Sequence, residues 1–313
     1  MQTMKSYILK RFVLLIPLLL GITLVSFAML KSLPGDPVLN LVGERASPEA
    51  IESIRRELGT DQGFFRQYAG YLSLLAQGDF GRSYHTNRQV SEELRRKFPN
   101  TMRLALATMA IAVPAGILLG VIAAVRRNTI IDRMVQAVTI AGVSIPVFWF
   151  GIMLMLLVCL HLRLLPPSGT GGVQFIVLPA LVLAVPAAAT LARVTRTSVL
   201  DAMTMPHVRT AQARGASRRR ILLWHVLRNA LIPIVTIIGL DFGSYLNGAV
   251  VTETIFGWDG IGRFTMDGIL KRDYPVIMGC TMIGTVVFVL VNLVTDLLYH
   301  YLDPRIRLDE KNR

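Results

Sequence analysis

Residues 197–233, TSVLDAMTMPHVRTAQARGASRRRILLWHVLRNALIP, lie between two long apolar runs and are strongly basic. From Arg193 to Arg228 there are eight arginines (193, 196, 209, 214, 218, 219, 220 and 228) against one acid, Asp201. Flanked by runs long enough to cross a bilayer, the stretch reads as a loop at a membrane surface. Its pattern predicts a helix, a break at Gly215-Ala216-Ser217 and a second helix. Ser217 suits the N-cap of that second helix. Ile221, Leu222, Leu223, Val226 and Leu227 supply its apolar side. Arginine alone holds such a loop in the cytoplasm. A helix–glycine–helix unit is more than topology requires, so the loop is expected to dock a cytoplasmic partner.

Composition agrees with a membrane setting. The 313 residues are 53% hydrophobic and 17% charged, where soluble domains carry roughly 25% charge. Mean hydropathy is +0.52. The apolar excess falls in blocks of about twenty residues, the length that a hydrocarbon core demands. Spans are expected at 12–30, 101–125, 134–160, 175–191, 229–251 and 275–300. The first run is too long for a signal-peptide core, so it reads as a retained span. The fold class is therefore all-α and polytopic, with about six transmembrane helices and both termini cytoplasmic. The net charge of +13 is one-sided. Segments assigned inside hold 18 Lys and Arg against 5 acids, those outside 15 against 13 when Arg103 at the outer end of the second span is counted with them, and Asp241 and Asp296 lie in spans. This follows the positive-inside rule and excludes nucleic acid as the reason for the basic balance.

Residues 31–100 form the one long polar stretch. Pro34-Gly35-Asp36-Pro37 turns the chain. Ser47-Pro48-Glu49 opens a helix running to Leu58 before Gly59. Phe64, Phe65, Tyr68, Tyr71, Leu72 and Leu75 make an amphipathic segment suited to the outer interface. Pro114 and Gly116 predict a kink or a tight helix contact in the second span. Gly142-x-Ser144-x-Pro146 interrupts the third, as a mobile or pore-lining point or as simple packing by small residues. Pro179 and Pro186 distort the fourth, and residues 253–274 form an outer re-entrant or interface segment. Cys159 and Cys280 sit in apolar runs as core thiols. No phosphate-binding Gly-x-x-x-x-Gly-Lys-Ser/Thr loop occurs, nor any His-Glu-x-x-His, Cys-x-x-Cys or Gly-x-Ser-x-Gly. Any ATP must be used by a partner.

Arg209-Thr210-Ala211-Gln212-Ala213-Arg214-Gly215, followed by Leu227-Arg228-Asn229-Ala230-Leu231-Ile232-Pro233, resembles the coupling loop of ABC importer permeases. That loop is described as Glu-Ala-Ala, three residues, Gly, nine residues, Ile-x-Leu-Pro. Ala211 and Gly215 match. Arg209 stands at the Glu position, His225 at the Ile and Arg228 at the Pro. These departures are similar to the peptide/nickel permease subfamily. Further stretches agree with that subfamily: Leu33-Pro34-Gly35-Asp36-Pro37, Gly78-Asp79-Phe80-Gly81, Thr252-Glu253-Thr254-Ile255-Phe256, Arg272-Asp273-Tyr274-Pro275-Val276 and Asp303-Pro304-Arg305-Ile306-Arg307.

The resemblance implies a type I ABC importer permease fold in the bacterial inner membrane. It implies a second homologous permease, two cytoplasmic ATPases, an extracytoplasmic binding protein and surrounding lipid as partners. The chain itself would bind no cofactor or metal and would not be an enzyme, with ATP and Mg held by the ATPases. The expected cargo is short peptides; nickel chelates, glutathione and opines are alternatives. A secondary transporter or membrane enzyme would need more intramembrane charge than Asp241 and Asp296. The coupling residues by this resemblance are Arg209, Thr210, Ala211, Ala213, Gly215, Ala216, Leu227 and Arg228. The implied divisions are 1–30, tail and first span; 31–100, extracytoplasmic loop with interfacial helices; 101–303, core domain with coupling loop 197–229; and 304–313, cytoplasmic tail. Candidates for the translocation path are Asp241, Asn247, Ser144 and Glu253. A carboxylate in mid-span costs about 2.5–3.5 kcal/mol to insert, so Asp241 must face the path or a hydrogen-bonding neighbour. Glu253 and Arg263 lie at the outer mouth, where solvated interface charges are the plain reading.

Overall fold

The computed structural model describes residues 4–32, 38, 47–57, 59 and 61–302. The turn at 33–37, Leu58 and the tail motif at 303–307 lie outside these. Among the described residues the regular structure is helical: α1 Met4–Ser32, α2 Pro48–Glu57, α3 Phe64–Ala76, α4 Val90–Val125, α5 Ile130–Ser144, α6 Val147–His161, α7 Val173–Met203, α8 Pro206–Ala213, α9 Arg218–Leu246, α10 Val250–Ile255, α11 Ile261–Lys271 and α12 Tyr274–Leu302. α6 ends in a π-turn, Leu156–His161, and α9 contains one at Ile221–Val226.

Among the described residues, four helices are long and apolar enough to cross a membrane: α4, α7, α9 and α12. The α5–α6 pair makes a fifth when counted as one span, and α1 adds the apolar segment Val13–Met29. These fall on the six expected runs, of which the first, Val13–Met29, is shorter than a full span. The third is not a straight span, because the chain bends by 94° between Ser144 and Val147. Pro146 lacks the N–H that would continue the helix, and Ile145 before it is extended, with ψ 124°. Pro179 and Pro186, in contrast, are passed without a break in α7.

The chain divides into two compact units. The first comprises residues within 1–101, 247–250 and 259–289. Here α3 lies along α1: the Tyr68 hydroxyl donates to Leu20 O at 3.0 Å and sits 3.0 Å from Thr23 Oγ1. Phe27 and Phe64 meet edge to face at 5.3 Å. α4 begins at Val90, well before the expected 101. Val90, Leu94 and Phe98 recur at helical spacing and pack against Ile261, Val276 and Cys280. Around them, Ser83 Oγ donates to Asp273 Oδ2 at 2.5 Å and the Tyr84 N–H to Oδ1 at 3.2 Å. Burial and the Asp273 carboxylate push the Tyr84 phenol well above its ordinary range. Lys97 is paired with Asp259, lies 3.7 Å from Glu93 and stands over the Phe264 ring. Lys97→Met removes one of two cations between these carboxylates, because Arg96 Nη2 remains 2.8 Å from Glu93 and 3.7 Å from Asp259. Asp259 is one-third exposed, so water screens part of the loss. The expected cost is about 1–2 kcal/mol, below the full penalty of a broken buried pair. It is read as an apparent melting temperature lowered by several degrees in detergent.

The second unit comprises residues within 102–246, 251–258 and 290–313. α7 is its centre, with alanines 180, 184, 187, 189 and 192 all buried. Small residues let other helices approach it closely. A Cβ added at Gly116 of α4 would stand 2.8 Å from Leu191 Cβ, and one at Gly120 only 2.5 Å from Ala192 O. The expected tight contact near Pro114 and Gly116 is thus a Gly-x-x-x-Gly face of α4 against α7. On α5, a Cβ at Gly142 would lie 3.2 Å from Ala189 Cβ. Cys159 of this unit and Cys280 of the first are both buried, and neither forms a disulfide.

Candidate functional site: the coupling segment

α7 runs to Met203, and Pro206 opens α8 at a position where a helix needs no N–H donor. α8 stops through hydrogen bonds that fold the chain back. The Gly215 N–H donates to Gln212 O at 2.9 Å and the Ala216 N–H to Ala211 O at 3.1 Å. This is a Schellman cap, and it requires a left-handed residue at Gly215, whose φ is +76°. Ser217 then caps α9, accepting from the Arg220 N–H at 3.4 Å. The predicted break and N-cap are where the sequence places them. The second helix, however, does not end before a separate fifth span: residues 218–246 form one helix.

The inner face of this unit is apolar. Val208, Ala211, Ile221, Val226 and Ala230 are buried in one cluster with Leu191, Val199 and Ala202 of α7. Asn229 Nδ2 donates to His225 O at 2.7 Å and lies 3.1 Å from His207 Nε2, which ties α8 to α9. Leu223 departs from its predicted place on the apolar side and is exposed. It lies two residues beyond Ile221, about half a helical turn round. Trp224, next to it, is 70% exposed. Of the eight expected coupling residues, Arg209, Thr210, Ala213, Gly215 and Arg228 are exposed, Ala216 and Leu227 are half-buried and Ala211 is buried. The segment therefore presents arginines with Met205, Leu223 and Trp224 on its outer side, over a fixed apolar base.

Seven of the eight arginines are exposed; Arg196 is not. Its guanidinium grips Asp132 through Nε–Oδ1 at 2.7 Å and Nη2–Oδ2 at 2.8 Å. Sequence reasoning missed this pair, since both residues read as ordinary loop charges.

Residues 116–308 match the family described as the binding-protein-dependent transport system inner membrane component, and residues 4–105 match that family's N-terminal segment. The chain belongs to this family. It is 39% identical, over 97% of its length and 99% of the relative's, to the dipeptide transport system permease protein DppB of Escherichia coli K12. It is 40% identical, at the same coverage, to the di/tripeptide transport system permease protein DppB of Pseudomonas aeruginosa. The glutathione transport system permease protein GsiC of E. coli K12 is also 40% identical at that coverage. A solved structure, the inward-facing MetNI methionine ABC transporter, shares the fold with a TM-score of 0.53 at 17% identity, covering 67% of this chain and 96% of its own. The chain is thus a multi-pass permease component of the inner membrane, with the fold of an ABC importer permease.

The path candidates occupy separate elements. Asp241 is half-buried on α9, one turn before Tyr245, whose hydroxyl donates to Leu183 O at 3.2 Å. Ser144 is exposed at the end of α5, beside an open apolar notch of about 400 Å³ lined by Ala141, Ile145, Pro146, Phe148 and Trp149. The amide oxygen of Asn247 lies against Gly284 of α12. Glu253 is not the solvated charge expected. It is fully buried, because the chain folds back over it: the Trp258 N–H donates to Glu253 O at 2.8 Å, and Phe256 and Trp258 are themselves buried.

Proposed function

We propose that this chain forms half of the translocation pathway of an importer for short peptides, with α8 and the start of α9 seated on a cytoplasmic ATPase. The observation that carries the reading is the coupling segment: a two-helix unit, rigid on its inner side and basic and aromatic on its outer side, continuous through α9 with a membrane span. ATP and Mg belong to two ATPase partners, and a homologous permease and an extracytoplasmic binding protein complete the assembly. Both termini lie in the cytoplasm, and residues 31–100 lie outside the membrane. Displacement of α8 reorients the spans, with Asp241, Ser144, Asn247 and Glu253 as candidates along the path. Peptide cargo is favoured because the named relatives carry dipeptides, di- and tripeptides or glutathione, itself a tripeptide.

The test is uptake in a strain lacking this chain, with labelled dipeptide, glutathione and nickel offered in parallel. Loss of dipeptide uptake, restored by the chain, is the expected result. Loss of nickel uptake alone overturns the cargo. Unchanged uptake of all three, with no ATPase copurifying in detergent, overturns the assembly.

A further inference from the structure

We infer that the Asp132–Arg196 pair is the positioning link that makes α5 follow the end of α7, so that displacement of α8 reaches the bend between α5 and α6. This rests on the permease reading above. Asp132 is 1% exposed, and its two oxygens receive four donors. Besides the two from Arg196, the Asn128 N–H donates to Oδ2 at 2.9 Å and Gln136 Nε2 to Oδ1 at 2.9 Å. A carboxylate so saturated is held in one orientation, and a two-point guanidinium grip fixes rotation as well as separation.

Its placement gives the pair a mechanical role. Arg196 lies on the last turns of α7, close before the chain passes through Thr204 and Met205 into α8. Asp132 lies in the first turn of α5, and the other end of α5 is the 94° bend. Elsewhere α5 holds α7 by small-residue contact, as at Gly142 and Ala189, while Ile130, Met134, Val138 and Ile140 are exposed on its other sides. Apolar contact of this kind resists separation but is not directional. The ion pair supplies the direction at the N-terminal end of α5, the end opposite the bend. Pulling on the end of α7 then carries Asp132 with it, and α5 turns as a rod about its bend.

The experiment uses the complete transporter in proteoliposomes, with labelled dialanine as the probe. It measures both dipeptide moved and ATP hydrolysed. Asp132→Asn and Arg196→Lys are expected to assemble with the ATPases and to hydrolyse ATP within about twofold of wild type. Dipeptide moved per ATP should fall about tenfold in Asp132→Asn and about threefold in Arg196→Lys, the scale of a lost coupling contact. A merely structural role would lower both rates together. An unchanged ratio therefore overturns the inference, whether both rates drop or neither does. If Asp132→Asn fails to assemble, Arg196→Lys decides; if both fail, the pair is a folding element and the inference falls. A wild-type assembly that forms but hydrolyses no ATP overturns the permease reading, and the inference with it.

Discussion

Replacing Gly215 by proline is expected to abolish uptake while the chain still reaches the membrane. A Cβ added at Gly215 meets nothing within 4 Å, so space is not the constraint. The constraint is backbone conformation. Gly215 sits at φ +76°, whereas proline is locked near −65°. Proline also deletes the N–H that closes the cap onto Gln212 O. The turn between α8 and α9 then cannot form, and the exposed arginines on either side lose their fixed spacing. The damage centres on the turn, where Ala213, Arg214, Gly215 and Ser217 are exposed and Ala216 is half-buried.

The conformational argument also predicts an order among substitutions. Asparagine tolerates the left-handed region and should retain most uptake. Alanine pays about 1–2 kcal/mol for that region and should reduce uptake by about two- to tenfold. Valine, branched at Cβ, should do worse, and proline should leave none. The measurement is labelled-dipeptide uptake normalised to chain in the membrane fraction, with ATPase copurification alongside. Wild-type uptake by Gly215→Pro would remove the coupling role of this turn. Equal loss for asparagine and proline would show that side-chain bulk at the ATPase surface, not backbone conformation, sets the requirement.

What the sequence discloses follows from how local each constraint is. The apolar runs are legible because bilayer thickness dictates their length, and the Gly215–Ser217 turn because a left-handed glycine and an N-capping serine are single-residue requirements. The early start of α4 was present as Val90, Leu94 and Phe98 at helical spacing, but five charges between Glu92 and Lys97 and the proline at 99 concealed it. Leu223 was misplaced by counting apolar residues rather than following the angle from Ile221. The bend in the third span was legible as a breaker at Pro146, but its angle depends on what packs against each half. The Asp132–Arg196 pair and the burial of Glu253 are tertiary facts. Asp132 and Arg196 are far apart in the chain and carry the same local signature as solvated charges. Glu253 is hidden by a fold-back that only its neighbouring aromatics, Phe256 and Trp258, foreshadow.

Gly120→Val is expected to cost more stability than the same change at Gly116, whose added Cβ has its nearest neighbour at 2.8 Å rather than 2.5 Å. A Cβ at Gly120 would fall 2.5 Å from Ala192 O and 2.5 Å from Thr195 Cβ. The first of these is backbone of the central helix and has no rotamer through which to yield. Relief requires α4 and α7 to separate along a face that Gly116, one turn earlier, also holds closed, with its own added Cβ 2.9 Å from Ala188 O. Overpacking a well-filled contact typically costs about 1–3 kcal/mol, and valine at a helix–helix crossing belongs at or above the upper end. The expected outcome is a melting temperature lowered by roughly 5–10 °C in detergent, with less chain recovered from the membrane. Gly70 supplies the control. It lies in helix α3 with nothing within 4 Å of an added Cβ, so Gly70→Ala should be neutral or stabilise by up to about 1 kcal/mol through helix propensity. If Gly120→Val melts within a degree of wild type, the α4–α7 approach is looser than these distances state. Thr195 immediately precedes Arg196, so a surviving fraction of Gly120→Val should also move less dipeptide per ATP, whereas Gly70→Ala should leave that ratio untouched.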